Sequence, residues 1–96
     1  MAVEPNIINN EKNMHFEIHE GNVIAFLEYR FQDNTIVFMH TEVPESMGGK
    51  GIASSLAQYA FRFAKKNAHP VKVYCPFVLT YMKRHPEVME QLEKES

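Results

Sequence analysis

The chain is poor in cysteine and in long apolar runs, and each shortage excludes a class of protein. Cys75 is the only cysteine, so the chain can form neither an intramolecular disulfide nor a thiolate metal cluster. No apolar stretch approaches the roughly 18 residues of a membrane-spanning helix. The N-terminus "MAVEPNIINN" also lacks the basic start and apolar segment of a signal peptide. We therefore expect a cytoplasmic protein without a membrane partner.

Clustered basic charge is also scarce. Charged residues make up 23% of the 96 residues, and the formal net charge is −2. Lys and Arg are scattered, apart from the local pair Lys83 and Arg84, so the basic surface that binds a phosphate backbone is missing. We expect no nucleic-acid partner. Apolar residues make up 45% of the chain, which is enough for a single compact domain over residues 1–96.

Alternating polar and apolar residues dominate the first half of the chain, and this period is typical of half-buried β-strands. The pattern predicts three consecutive antiparallel strands, over residues 14–20, 23–31 and 35–43. The turns between them are predicted at Gly21-Asn22 and at Gln32-Asp33-Asn34, because these residue types tolerate positive φ.

The second half has a helical period instead. Apolar residues recur at helical spacing from Ile52 to Asn67, with most polar residues on the other side, which predicts an amphipathic helix. The stretch Val71 to Cys75 then predicts a strand that lies parallel to the third strand in a βαβ crossover. The remaining segment predicts one or two closing helices, with a break at Pro86.

These elements together define the expected fold class. We predict an α+β domain with a mixed sheet: an antiparallel meander, a βαβ crossover and a C-terminal helix. Residues 1–12 show no sustained periodicity, so we expect a loosely held lead-in with Ile7 and Ile8 pairing at a sheet edge. Exposed strand edges in so small a sheet allow a monomer or a weak dimer.

The stretch "EVPESMGGKGIASSL" contains three of the four glycines within four positions, just before the predicted helix. Backbone N–H groups converge at a helix N-terminus, where the helix dipole is positive, so such a turn favours an anion. A P-loop is excluded, because Gly51 stands where its Ser or Thr belongs and Pro44 stands where its first glycine belongs. A plain glycine-rich connection remains the alternative on the turn alone.

The surrounding elements resemble the GNAT superfamily of acyl-CoA-dependent N-acetyltransferases. The resemblance covers residues 14–86 and is closest to the short members of the family, because "EVPESMGGKGIASSL" is followed by "YCPFVLTYMKRHPE". Short members lack the N-terminal helices that help cover the acceptor in full-size relatives. The resemblance therefore implies acetyl-CoA as the donor and an open acceptor side suited to a protein or peptide amine.

The resemblance also implies which residues bind coenzyme A. In the family, the pyrophosphate lies on the backbone amides of a turn of the form Arg/Gln-x-x-Gly-x-Gly/Ala. Gly51 and Ala53 fit the last two positions, whereas Gly48 replaces the usual Arg or Gln and so removes a side-chain contact. The implied coenzyme A contacts are Gly48, Gly49, Lys50, Gly51, Ile52 and Ala53 in the turn, Val43 as an oxyanion donor, and Lys83, Arg84 and His85 near the phosphates. A solvated basic helix end is the alternative for the last three.

Four side chains are candidates for the chemistry of acyl transfer. Glu42 and His40 share one face at the end of the third strand, and either is a candidate base or simply a solvated polar group. Cys75 precedes Pro76, the first residue of a predicted helix whose N-terminus favours a thiolate. The resemblance implies a nucleophilic role for Cys75 and a proton-donor role for Tyr81. The alternatives are a small buried core residue and an aromatic core contact.

Two functions are compatible with these residues, besides a structural domain that keeps the fold without the ligand. The first is a small acetyl-CoA-dependent N-acetyltransferase that acts by direct attack of the amine or through Cys75. The second is a non-catalytic module that binds coenzyme A or acyl-CoA. We expect no metal site, because His15 and His19 share a strand face without a further ligand that the sequence specifies.

Overall fold

The computed structural model describes residues 6–94, and these form one mixed five-stranded sheet with helices on one side. The strands are β1 (Ile7–Asn10), β2 (His15–Glu20), β3 (Val23–Gln32), β4 (Thr35–Glu42) and β5 (Val71–Val73). The helices are α1 (Ile52–Lys66) and α2 (Pro76–Arg84), with short 3₁₀ helices at Glu45–Met47 and Pro86–Gln91. The sheet order is β1-β2-β3-β4-β5, which confirms the α+β class.

The meander has four strands rather than three. Ile7 and Ile8 pair with Ile18 and Glu17 at the sheet edge, as the sequence predicts. The expected loose lead-in is therefore wrong for β1, because the N–H and C=O groups of this segment pair in a regular antiparallel ladder. Residues 1–5 of that lead-in lie outside the described residues.

Both predicted hairpins form, and one turn is shorter than expected. Glu20 pairs with Val23 around Gly21-Asn22. Gln32 pairs directly with Thr35, so only Asp33 and Asn34 form the second turn, and Asp33 takes the positive φ of 55° that such a tight turn requires. Gln32 therefore belongs to β3 and not to the turn.

The crossover places β5 beside β4 in parallel register, from Ile36 opposite Val71 to Phe38 opposite Val73. The predicted strand over 71–75 is two residues too long. The N–H groups of Tyr74 and Cys75 both donate to the same carbonyl, that of Phe38, at 2.9 and 3.2 Å. Two consecutive amides on one acceptor end the strand, and the chain turns into α2.

The core lies between one face of the sheet and the two helices. Helix α1 buries a wider stripe than the spacing predicts, because it packs against both the sheet and α2. Ala57 and Phe61 are therefore buried, whereas Tyr59 and Phe63 are only half-buried. The ring of Phe61 stacks on that of Tyr81 at a centroid distance of 6.0 Å. Full burial of such a side chain contributes about 2 kcal/mol to stability, which fixes α2 against α1.

Candidate active site

The candidate site lies where β4 and β5 separate. β5 pairs with β4 only as far as Phe38, but β4 continues to Glu42 with β3 as its remaining neighbour. The second half of β4 therefore has an edge that no strand of the described chain covers. This splayed edge leads directly into the glycine turn and the first turn of α1.

A β-bulge in β4 determines which side chains lie at this edge. Glu28 pairs with His40 and Tyr29 with Phe38, so Met39 is an extra residue in β4. Directly paired residues share a face of the sheet. His40 and Glu42 consequently share one face, as the alternation predicts, and the structure places it opposite the helices. Thr41 lies on the helix side.

The glycine turn presents backbone amides at the start of α1. Gly49 and Gly51 adopt φ values of 77° and 71°, which favour glycine, and a Cβ built on either would meet nothing within 4 Å. The first intrahelical hydrogen bond runs from Ser55 N–H to the Gly51 carbonyl at 3.0 Å. The amides before Ser55 have no acceptor within the helix. Helix α1 has neither a side-chain cap nor an acidic residue in its first turn, so its positive end is not neutralised locally.

A cleft of about 240 Å³ lies in front of this turn. It is bounded by the end of β4, the glycine turn and the first turns of both helices. It includes six of the predicted coenzyme A contacts together with three residues that were not predicted. The lining residues are Val43, Met47, Gly48, Gly49, Gly51, Ile52, Ala53, Ser54 and Phe77.

Cys75 is the residue before α2, as the sequence predicts, but its thiol is buried. Its side chain is 2% exposed and belongs to the main apolar core. The sulfur lies 3.2 Å from the hydroxyl oxygen of Thr41, in a contact where either group can donate. Cys75 does not line the cleft, so an attack by this thiol would first require the start of α2 to move.

Tyr81 lines a second, smaller cleft of about 160 Å³ with Ser54, Ser55, Gln58 and His85. The two clefts share Ser54, in the first turn of α1. Tyr81 and the glycine turn therefore line adjacent clefts near the N-terminus of α1. Burial, assisted by the negative charge of Glu87, raises the pKa of Tyr81 above 10. The phenol therefore keeps its proton at neutral pH. The His85 ring stacks on Tyr81 at a centroid distance of 4.3 Å.

The four predicted basic contacts, Lys50, Lys83, Arg84 and His85, are spread over the surface. Lys50 is part of the glycine turn, but its ammonium binds the Glu20 carboxylate at 2.7 Å, and both side chains are about half exposed. Lys83 and Arg84 are exposed in the last turn of α2, where positive charge suits the helix dipole. His85 lines the smaller of the two clefts described above, together with the predicted site residue Tyr81.

The sheet face opposite the helices carries a second polar cluster. The buried Glu17 carboxylate contacts His19 at 2.8 Å, Asn10 at 3.1 Å and His15 at 3.3 Å. Burial would raise the pKa of Glu17, but hydrogen bonds from His19, Asn10 and His15 outweigh it and hold the pKa below 4.5. Within residues 6–94, no group of three or more His, Cys, Asp or Glu side chains has a geometry that could hold a metal ion.

A comparison with known families assigns the chain to one of them. The model of the GCN5-related N-acetyltransferase family matches residues 15–92. The chain belongs to this family. The match begins at β2 and ends beyond α2, so it includes the glycine turn, both helix N-termini and the splayed strands.

The curated proteins similar to this chain include Protein NATD1 of several vertebrates. The mouse protein is 33% identical over 72 residues, which cover 72% of this chain and 66% of that protein. The human protein is also 33% identical over 72 residues, with coverages of 72% and 64%. The chain thus spans slightly less than two thirds of these curated relatives.

A solved structure shows the same fold. The NMR solution structure of a GCN5-like protein from Staphylococcus aureus superimposes with a TM-score of 0.72 at 23% identity. The superposition covers 99% of this chain and 94% of that one.

Within residues 6–94, no helix is long and apolar enough to cross a membrane.

Four residues at the candidate site are missing from the predicted set: Met47, Ser54 and Phe77, which line the cleft, and Thr41, which contacts Cys75. Phe77 follows Pro76 in the first turn of α2 and is 37% exposed. Its position in that turn was the only sequence feature that could have placed it near the site. Ser54 is one residue beyond the glycine motif. The contact between Thr41 and Cys75 joins residues 34 positions apart, and only the pairing of the strands reveals it.

Proposed function

We propose that this chain is an acetyl-CoA-dependent N-acetyltransferase in which a primary amine attacks the thioester directly. One observation carries the proposal. The uncapped N-terminus of α1 and the first turn of α2 meet at one glycine-lined cleft, at the point where β4 and β5 part. Acetyl-CoA supplies the thioester acetyl group, and the remaining steps are assigned to side chains and amides of this chain.

The glycine turn fits the pyrophosphate of coenzyme A. Amide N–H groups from Gly49 to Ala53 precede the first intrahelical hydrogen bond and can donate to phosphate oxygens. The open space in front of Gly49 and Gly51 is the room that such a group needs. Because Lys50 is bound to Glu20, we assign the affinity to the amides and the helix dipole rather than to the Lys50 ammonium.

Glu42 and Tyr81 are assigned to proton transfer. Glu42 belongs to the last residue pair between β3 and β4, and Val43 follows it in the chain. We assign the Val43 N–H as the hydrogen-bond donor to the thioester carbonyl oxygen, on which negative charge develops during the attack. In the transfer a nitrogen–carbon bond forms and the carbon–sulfur bond breaks. One proton of the amine goes to the Glu42 carboxylate, and the Tyr81 phenol gives its proton to the departing sulfur.

Cys75 has a structural role in this proposal. A side chain that is 2% exposed and in contact with Thr41 is poorly placed to attack a thioester. We assign it to packing between the sheet and α2. The two-step route through an acetyl-cysteine would require the thiol to become accessible, and a mass measurement described in the Discussion tests that requirement.

A non-catalytic module that binds coenzyme A is the second candidate. Two observations favour it: Glu42 and Tyr81 do not line the cleft in front of the glycine turn, and Tyr81 lines the smaller cleft beside it. Under this reading the glycine turn binds the ligand and no acetyl group is transferred. The two functions share the binding step and differ only in turnover.

The test combines binding with turnover. Coenzyme A binding is measured by calorimetry, and release of free coenzyme A from acetyl-CoA is followed with Nα-acetyl-lysine amide as the acceptor. Binding with acceptor-dependent release and formation of the Nε-acetyl product supports the transferase. Binding without release across a panel of peptide and small amines supports the module, and failure to bind coenzyme A refutes both.

A further inference from the structure

The face of the sheet opposite the helices is uncovered within residues 6–94, because α1, α2 and the second 3₁₀ helix all pack on the other face. Three side chains form a row across this open face. Phe26 pairs with Glu17 on one side and with Glu42 on the other. Side chains of directly paired residues have Cβ atoms about 5 Å apart. Phe26 is therefore the immediate neighbour of Glu42, at the end of β4 that leads to the cleft.

Among residues 6–94, the charges on this face leave one carboxylate without a partner. Glu17 is bound by His15 and His19, and Glu28 is bound by Arg30 at 2.7 Å. Within the described part of the chain, the Glu42 carboxylate makes no hydrogen bond or ion pair. An incoming cation would therefore find its counter-charge at Glu42.

The ring of Phe26 is held in position by its neighbours. His15 stacks on one face of it, at a centroid distance of 4.1 Å and an interplanar angle of 14°. His40 meets it edge-on at 6.3 Å. His15 is itself bound to Glu17, which His19 and Asn10 also hold. The ring is thus a half-buried aromatic surface of fixed orientation beside a free carboxylate.

An aromatic face next to a carboxylate is suited to an ammonium group. The ring quadrupole attracts a cation, and the carboxylate supplies a hydrogen-bonded counter-charge. We propose that Phe26 and Glu42 together bind the protonated amine of the acceptor, so that Phe26 determines specificity for cationic acceptors such as a lysine side chain. This inference rests on the proposed function and names the acceptor chemistry of that site. The bound ammonium releases one proton to solvent to become the neutral amine, and Glu42 takes a second proton from the nitrogen as the nitrogen–carbon bond forms.

A binding experiment tests this inference independently of turnover. Nα-acetyl-lysine amide is titrated into the protein in the presence of coenzyme A, and the ring of Phe26 and the imidazole of His40 are followed by NMR. Nα-acetyl-norleucine amide, which has the same chain length without the ammonium, is the matched probe. We expect saturable shifts with the lysine compound and none with the norleucine compound.

Variants assign the binding to the two residues. Phe26→Leu should weaken binding of the lysine compound by about tenfold, which matches the range of a partly desolvated cation–π contact. Glu42→Gln should weaken it at least as much. Ile24→Ala is the control, because Ile24 is 42% exposed on the same strand and face, and it should leave binding unchanged.

The outcomes separate this inference from the proposed function. Equal shifts with both compounds, or unchanged affinity in Phe26→Leu and Glu42→Gln, would overturn the assignment even if acetyl transfer occurs. Saturable binding that both variants weaken would support it even if no acetyl group is transferred, and the transferase proposal alone would then fail. No saturable shift with either compound would also overturn it.

Discussion

The hydroxyl oxygen of Thr41 lies 3.2 Å from the sulfur of Cys75, and this contact links β4 to the residue that precedes α2. It spans the place where β4 and β5 part, on the helix side of the sheet. The contact has two consequences: it closes the apolar core beneath the candidate site, and it occupies the thiol.

Cys75→Ala should therefore affect stability more than chemistry. We expect the free energy of unfolding to fall by about 1 kcal/mol, as for a typical core substitution, and turnover to stay within about threefold. Urea unfolding and coenzyme A release measure the two effects. The matched variant Thr41→Val removes the hydroxyl and leaves the thiol, and it should show a similar small loss of stability. An acetyl adduct on the parent, labile to hydroxylamine and absent from Cys75→Ala by intact mass, would contradict the direct route.

Gly51→Ala should weaken coenzyme A binding by about tenfold or more, because the new methyl group would project into the cleft. It should also cost about 1–2 kcal/mol of stability, since φ is 71°. Gly21→Ala is a matched control, because Gly21 has a φ of 60° and open space around it in a distant turn. Equal affinities for the two variants in calorimetry would exclude the glycine turn as the phosphate site.

Tyr81→Phe should lower kcat by about 100-fold with little change in the KM for acetyl-CoA, because it removes a proton donor and keeps the ring. Burial and the negative charge of Glu87 raise the pKa of Tyr81, so the activity that depends on this proton should persist to a higher pH than an ordinary tyrosine would allow. Tyr29→Phe is the control: Tyr29 is also buried, and its hydroxyl donates to Asn9 at 2.7 Å. If both variants keep full kcat, Tyr81 is only a core contact.

Glu17→Gln should reduce stability at pH 7 by about 1–2 kcal/mol, because a buried carboxylate with three hydrogen-bonding neighbours loses its charge. The pKa of Glu17 is lower in the folded protein than the ordinary 4.5. The stabilisation is therefore complete above pH 4.5 and disappears as the pH falls through the folded value. Urea unfolding from pH 7 to pH 3 should show the parent approaching the variant. Glu90→Gln is the control at an exposed site. Its free energy of unfolding should stay close to that of the parent over the same pH range.

The elements of this fold are largely predictable from the sequence, because its strands alternate cleanly and its turns carry Gly, Asn or Asp. Both hairpins, α1 and the parallel β5 were predicted within two residues. The β-bulge at Met39 was not, since an extra residue leaves the composition of the strand unchanged. The end of β5 also depends on a distant carbonyl, that of Phe38, which accepts from both Tyr74 and Cys75.

The candidate site was also predictable only in part. The glycine turn has a local signature, so its position before α1 could be predicted from adjacent residues. Burial of Cys75 depends on Thr41, and the neighbours of Phe26 come from three strands in register. Such contacts follow from strand pairing, which a single sequence does not specify. For this reason the neighbours of Phe26 and the contact of Thr41 with Cys75 were not predicted, although both residues lie in correctly predicted strands.

The parallel pairing of β4 with β5 also bears on how the site forms during folding. Strands β1 to β4 are neighbours in the chain and close short loops, whereas Ile36 meets Val71 only after the whole of α1 has been placed. Closing longer loops costs more entropy, and distant contacts form more slowly. We expect the hairpins to become protected from hydrogen exchange before β5 docks. The cleft would then appear only in the last stage of folding, and ligand binding would report on the completely folded chain.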